Sequence, residues 1–296
     1  MFQGSIVALV TPMDEHNQVD DDALNRLLDL HLDSGTTGIV VAGTTGESTA
    51  LSAEEYEQLL RHVVTRIDGR IPVIAGTGSA GTERTITMTK LAASLHADAA
   101  LVVTPYYVRP SQAGLEAHYR AIADASAIPI LLYNVPTRTA VDLLPETVAR
   151  LAGHENIAGI KEAVGSMERV QALVGLAGPD FVVLSGDDGT CMAAISESAS
   201  GVISVAANVA PREMALMCQA AAAGDLATAR ELDGRLRRLF EQLAIATNPI
   251  PVKWAAFAMG LMGPGIRLPL LPLDPSGRPG LEACLHELGL LAAKDF

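Results

Sequence analysis

The 296-residue chain is short of aromatics, lysine, cysteine and uninterrupted apolar runs, and each shortage excludes something. Aromatics make up 4% and hydrophobic residues 49%, so the core must be built from Ala, Val, Leu and Ile. No run of about 18 uncharged apolar residues is present, which argues against a helical membrane span. The nearest candidate, Met192 to Ala207, is broken by Ser196, Glu197, Ser198, Ser200 and Gly201. The N-terminus, Met1-Phe2-Gln3-Gly4-Ser5, has no basic region, and the apolar stretch behind it stops at Thr11-Pro12. No secretory leader is expected. Cys191, Cys218 and Cys284 are odd in number, widely spaced and mostly set among apolar residues. They read as buried free thiols in a reducing cytoplasm, not as a disulfide framework or a metal cage. An excess of basic charge is lacking too. With 34 acidic and 21 basic residues the net charge is −13, which would repel nucleic acid and anionic membranes. A small anionic substrate is not excluded, because a few local arginines overcome a diffuse negative field.

What is there is an even alternation. Short apolar runs at Ser5–Val10, Gly38–Ala42, Ile71–Ala75, Ala99–Val103, Ile128–Tyr133, Ile157–Lys161, Phe181–Ser185 and Gly201–Val205 read as eight strands. Segments with helical spacing lie between them, clearest at Ala23-Leu24-Leu27-Leu28-Leu30 and Tyr56-Leu59-Leu60-Val63-Val64. Ser52-Ala53-Glu54-Glu55 is a capping-box start for the second. Eight strand–helix units in about 220 residues match an α/β fold of the parallel (β/α)₈ barrel type, with a doubly wound open sheet as the alternative. Beyond the eighth strand the pattern is helical only. Pro211 sits at a helix start, and helices are predicted over Asp225–Ala246, Pro251–Met262 and Leu281–Ala292. Leu268 to Leu273 carries two prolines and is predicted as an extended connector. The expected organisation is a barrel over residues 1–224 with a helical extension over 225–296 packed on it as one unit.

Only four lysines are present (Lys90, Lys161, Lys253 and Lys294), and Lys161 ends the apolar run Ile157-Ala158-Gly159-Ile160. A strand buried on both faces offers no water to an ammonium group. Such a lysine is either paired with an acid, Glu162 or a nearby aspartate, or held uncharged as a nucleophile able to form a Schiff base. A free lysine is neutral in only about one molecule in ~10³ at pH 7, so the second role demands a well-packed site. In a (β/α)₈ barrel the strands' C-terminal ends form the active site. Collected there are Gly43-Thr44-Thr45-Gly46-Glu47-Ser48, Thr104-Pro105-Tyr106-Tyr107, Tyr133-Asn134-Val135-Pro136-Thr137-Arg138, Lys161-Glu162 and Gly186-Asp187-Asp188. Hydroxyls, one lysine and one arginine on one rim suit carbonyl chemistry. The Gly43–Gly46 loop is either a carboxylate cradle of N–H groups and hydroxyls or simply a tight turn. Tyr133 is either a general acid/base, needing a neighbour because a free tyrosine titrates near ~10, or a core ring with its hydroxyl at the surface. Arg138 either clamps a carboxylate with its guanidinium fork or is solvated on a loop.

Two motifs point elsewhere. Gly76-Thr77-Gly78-Ser79-Ala80-Gly81 fits the dinucleotide fingerprint, but it follows a third strand, and the acid that should come after the next strand, Asp98, precedes it. Asp187-Asp188 is a lone acidic pair, and the seven histidines show no metal-ligand spacing. Neither a metal nor a cofactor is expected.

Taken together, Gly43-Thr-Thr-Gly-Glu47, Val103-Thr-Pro-Tyr-Tyr107, Tyr133-Asn-Val-Pro-Thr-Arg138, Gly159-Ile-Lys-Glu-Ala163 and Leu184-Ser-Gly-Asp-Asp188 resemble the dihydrodipicolinate synthase family of pyruvate-dependent class I aldolases and lyases. The resemblance runs from Gly4-Ser-Ile-Val-Ala8 to Asn248-Pro-Ile-Pro-Val-Lys-Trp254. It implies condensation of pyruvate with L-aspartate 4-semialdehyde to 4-hydroxy-tetrahydrodipicolinate, the first committed step of the diaminopimelate route to lysine. Lys161 would form the imine, and Tyr133 would shuttle protons with Thr44 and with Tyr107 from a neighbouring subunit. Thr45 would hold the pyruvate carboxylate and Arg138 that of the semialdehyde, with backbone at Gly186 and Ile203 lining the pocket. A cytoplasmic homo-oligomer, a tetramer built as a dimer of dimers, is implied as well. N-acetylneuraminate lyases share the barrel and the lysine but usually lack the arginine after Tyr-Asn-x-Pro. Lysine-inhibited family members carry an acid at the position of Arg84 and histidines or polar amides at Ala53, Tyr56 and Ala80. Ser48, Thr49 and Tyr106 remain of that allosteric site, and Arg84 would repel a lysine ammonium, so feedback inhibition is expected to be weak or absent. A barrel isomerase that forms no imine and a non-catalytic ligand-sensing barrel are the readings from other classes.

Overall fold

The computed structural model describes residues 2–291. Eight parallel strands close into a barrel: β1 (Gly4–Ala8), β2 (Gly38–Val41), β3 (Val73–Gly76), β4 (Ala99–Val103), β5 (Ile130–Asn134), β6 (Ile157–Glu162), β7 (Val182–Ser185) and β8 (Gly201–Ser204). Each lies beside its neighbour in sequence, and β8 pairs with β1. The predicted strands are all present with their ends moved by a residue or two. β3 and β5 start later than Ile71 and Ile128 because Pro72 and Pro129 have no N–H for the ladder.

Side chains alternate between two layers. Ile6, Ala8, Val40, Ile74, Ala99, Leu101, Leu131, Tyr133, Leu184 and Ile203 fill the barrel interior. The intervening residues, such as Val7, Ile39, Val41 and Val73, face the surrounding helices. Strand β6 breaks this rhythm. Ile157 and Ile160 both face the helices, three residues apart, and the register with β5 shifts between Ile130 and Leu131. Ala158 is the extra residue of a bulge, and it brings Lys161 rather than Ile160 opposite the inward-facing Tyr133.

The helices follow from caps and apolar spacing. At Ala53–Ile67 the capping box forms: Ser52 Oγ accepts from the Glu55 N–H at 3.1 Å, and the Glu55 carboxylate accepts from the Ser52 N–H at 2.9 Å. Tyr56, Leu59, Leu60, Val63 and Ile67 turn inward, each worth about 1.5–3 kcal/mol of burial. The extension forms helices over Leu226–Leu243, Ile250–Ala258 and Arg278–Glu287. The second stops short of Met262 because Gly260 takes a positive φ. The third starts before Leu281, after a turn in which Asp274 accepts from the Ser276 N–H; its predicted end, Ala292, lies outside the described residues. Leu268–Leu273 is free of helix and strand. Leu236, Leu239, Val252, Ala255 and Leu281 join the same apolar cluster as Val7 and Ile39, so the extension buries its face directly on the barrel's helical layer. Cys191, Cys218 and Cys284 are free and buried. Among the described residues no helix is long and apolar enough to cross a membrane.

Candidate active site

A cavity of about 930 Å³ opens at the C-terminal ends of the strands, and Thr44, Thr45, Tyr133, Arg138, Lys161 and Gly186 all line it. Lys161 points inward and is only 5% exposed. Its Nζ lies 4.5 Å from the centre of the Tyr133 ring, a cation–π separation. Among the described residues no carboxylate pairs with it. Glu162, the adjacent acid, faces the opposite way and bonds to Asn134 and to the Val164 N–H. The reading of Lys161 as an ion-paired lysine is therefore excluded by the alternation of β6. A Cβ at Gly186 would lie 2.9 Å from Lys161 Cε, so only glycine leaves the lysine its path into the cavity.

Thr45 is buried, and its hydroxyl accepts from Asn248 Nδ2 at 3.0 Å. Arg138 sits on the short helix Pro136–Thr139, and its Nη2 donates to the Asn248 carbonyl at 3.3 Å, leaving its remaining donors for an anion. Asn248 thus spans the two residues expected to hold carboxylates, a contact from the extension that the motifs did not reveal. Asp187 and Asp188 reach the same wall. Asp188 Oδ2 accepts from the Val205 and Ala206 N–H groups at 3.1 and 2.8 Å, tying β7 to the chain beyond β8. Burial pushes the Asp188 carboxyl above its usual range.

Two expected residues are not among the side chains of this wall. The Ile203 side chain is wholly buried among the interior residues beneath the cavity, which leaves only its backbone for the expected lining, and Val205 reaches the wall beside it. Tyr107 is 90% exposed and points out of the molecule. A second cavity of about 110 Å³ shares Thr44 and Tyr133 with the first and is walled by Ser48, Thr49, Tyr56, Arg84 and Tyr106. The residues attributed to an allosteric site are therefore together, although Ala53 and Ala80 are outside that wall. Tyr56 is buried there with its hydroxyl unpartnered, and burial raises the pKa of the phenol.

The loop carrying Thr44 and Thr45 is fastened from outside. Glu47, in the left-handed region at φ 54°, forms a buried ion pair with Lys253 and accepts from the Arg267 N–H at 2.9 Å. The scarcity of lysine marked Lys253 as much as Lys161, but no local pattern named its partner. The dinucleotide-like motif has a packing explanation: a Cβ at Gly76 would lie 2.2 Å from the Ala42 carbonyl oxygen. A groove of similar volume between the helices Asp21–Asp33 and Ala53–Ile67 is lined mostly by polar and ionic side chains, several paired with one another, and has neither lysine nor cysteine in its wall.

Residues 1–288 match the dihydrodipicolinate synthetase family. The 4-hydroxy-tetrahydrodipicolinate synthase of Pseudomonas aeruginosa is 51% identical over 292 residues, covering 99% of this chain and 100% of the relative. That of Alcanivorax borkumensis is 52% identical over 294 residues with the same coverage. The crystal structure of the chloride-inhibited dihydrodipicolinate synthase from Acinetobacter baumannii complexed with pyruvate superposes with a TM-score of 0.97 at 46% identity, covering 98% of this chain and 100% of that one.

Proposed function

The chain belongs to the dihydrodipicolinate synthetase family, and from that premise we propose that Lys161 is the amine through which it acts. Its activity is that of a 4-hydroxy-tetrahydrodipicolinate synthase, in lysine biosynthesis through diaminopimelate. The single observation that carries the assignment of the nucleophile is a buried lysine with no acid partner, facing a phenol in a cavity rimmed by hydroxyls.

The Lys161 amine adds to the ketone of pyruvate, and loss of water gives a protonated imine. The imine is the electron sink that lets the methyl carbon lose a proton and become an enamine, so no cofactor is used. The enamine carbon attacks the aldehyde of L-aspartate 4-semialdehyde. The substrate's own amino group then attacks the imine carbon, closing the ring and releasing Lys161. Tyr133 carries the protons with Thr44, while Thr45 and Arg138 hold the two carboxylates. Backbone groups at Gly186 and Ile203 line the pyruvate end. Tyr107 completes a neighbour's relay, and its 90% exposure supports a homo-oligomer, a tetramer in our reading; a monomer with full turnover in sedimentation and assay would refute it. The three buried thiols support a cytoplasmic location. With Arg84 in the wall of the second cavity, L-lysine inhibits weakly or not at all. Half-maximal inhibition at submillimolar L-lysine would contradict this.

Borohydride reduction in the presence of pyruvate, followed by mass mapping, tests the core of the scheme. A label confined to the peptide bearing Lys161 is expected. No label, or a label on Lys90 or Lys253, would overturn it.

A further inference from the structure

Strands β5 and β6 pair Tyr133 with Lys161 and, one step on, Asn134 with Glu162. The first pair faces the cavity and the second faces the helices, so a polar pair stands directly behind the reacting pair. It is fully bonded. Asn134 Nδ2 donates to Glu162 Oε2 and Oε1 at 3.0 and 3.2 Å and to Asp142 Oδ1 at 2.8 Å. Asn134 Oδ1 accepts from the Leu143 N–H at 3.0 Å, and Glu162 Oε1 from the Val164 N–H at 2.9 Å. Arg169 forks onto Asp142 at 2.6 and 3.0 Å and lies 3.5 Å from Glu162 Oε2.

Two features say this cluster does more than fill space. Burial pushes the Glu162 carboxyl above its usual range, a cost that an aliphatic side chain, such as Ile160 two residues earlier on the same face, would avoid. The cluster also closes a strand pair that contains a bulge, where register is least constrained by the ladder. Asn134 and Glu162 are the terminal residues of β5 and β6. A slip of one residue would part them, so their hydrogen bonds act as a register lock at the rim.

We propose that Glu162, acting through Asn134, is a positioning residue that fixes the separation of the Tyr133 phenol and the Lys161 amine and so sets the rate of imine formation and tautomerisation. The proposal rests on Lys161 being the imine-forming lysine. Glu162→Gln keeps the shape but turns an amide donor toward Arg169 or Asn134; Asn134→Ser removes the bridge and leaves Glu162 beside Arg169. Each is expected to slow borohydride trapping of the pyruvate imine by roughly 10- to 100-fold, the size of effect that a misplacement near 1 Å produces. The KM for L-aspartate 4-semialdehyde should stay within about threefold, since Arg138 and Asn248 are untouched. Should Glu162→Gln not fold, Asn134→Ser decides, with Arg169→Lys as the mildest version. Trapping within twofold of wild type per folded protein, even with a lowered melting temperature, would reduce Glu162 to a structural part and overturn the proposal. Failure of the wild type to label at Lys161 would instead remove the parent reading.

Discussion

Lys161 and Lys253 are buried almost equally, at 5% and 3% exposure, one in the barrel mouth and one in the helical extension. Their surroundings differ in one respect. Lys253 is paired with Glu47, which opposes the depression that burial imposes on its amine. Lys161 has a ring 4.5 Å away and no acid, although Glu162 is its immediate neighbour in sequence. Burial alone therefore does not distinguish a nucleophile from a bolt. What distinguishes them is whether the fold turns a carboxylate toward the amine or away from it.

Replacing each lysine by a side chain of similar volume tests this contrast most severely. Lys161→Met is expected to abolish turnover, by ~10⁴-fold or more, while the melting temperature holds or rises, because an uncompensated amine leaves an apolar wall. A large fall in melting temperature would mean Lys161 has a partner after all. Lys253→Met leaves the buried Glu47 with the Arg267 N–H but no cation and should cost about 3–5 kcal/mol in denaturant unfolding. A loss under ~1 kcal/mol would place that pair with ordinary surface pairs. Tyr133→Phe keeps the ring over Lys161 and removes only the hydroxyl that carries the proton, so kcat should fall by roughly 10²- to 10³-fold. An unchanged kcat would show that the ring, not the hydroxyl, is what Lys161 needs.

A third buried base sharpens the comparison with the smallest effect. His31 has Thr36 on Nδ1 and nothing on Nε2, and burial pushes it from 6.5 to about 4. A base held neutral by the fold binds fewer protons than in the unfolded chain between those values. Stability is thus full above pH 6.5 and lost as pH falls toward 4. Between pH 7 and 5.5 the loss from His31 is about 1 kcal/mol. Melts of His31→Gln against wild type should show that slope removed, and parallel curves would assign it to other groups.

Much of this was legible before any fold was known. Short apolar runs at even spacing mark eight strands, and the rim residues after them include Thr44, Thr45, Tyr133, Arg138, Lys161 and Gly186, which do share one cavity. What was hidden is contact across long separations. Glu47 meets Lys253 206 residues away, and Asn248 meets Thr45 203 residues away, with no local pattern announcing either. The place of Ile203 follows from alternation on β8, which sends its side chain into the packed interior below the cavity and leaves only its backbone for the role expected of it. The run from Ile157 to Lys161 also looks uniform, and nothing in it shows that one residue is supernumerary.

That supernumerary residue has a wider consequence. Were the bulge to relax into regular pleating with Ala158 kept, Ile160 would stand opposite Tyr133, the amine would swing out among the helices and the glutamate would swing into the mouth. The capacity for covalent chemistry thus depends on parity, on whether an odd or even count of paired residues separates the start of the strand from its lysine.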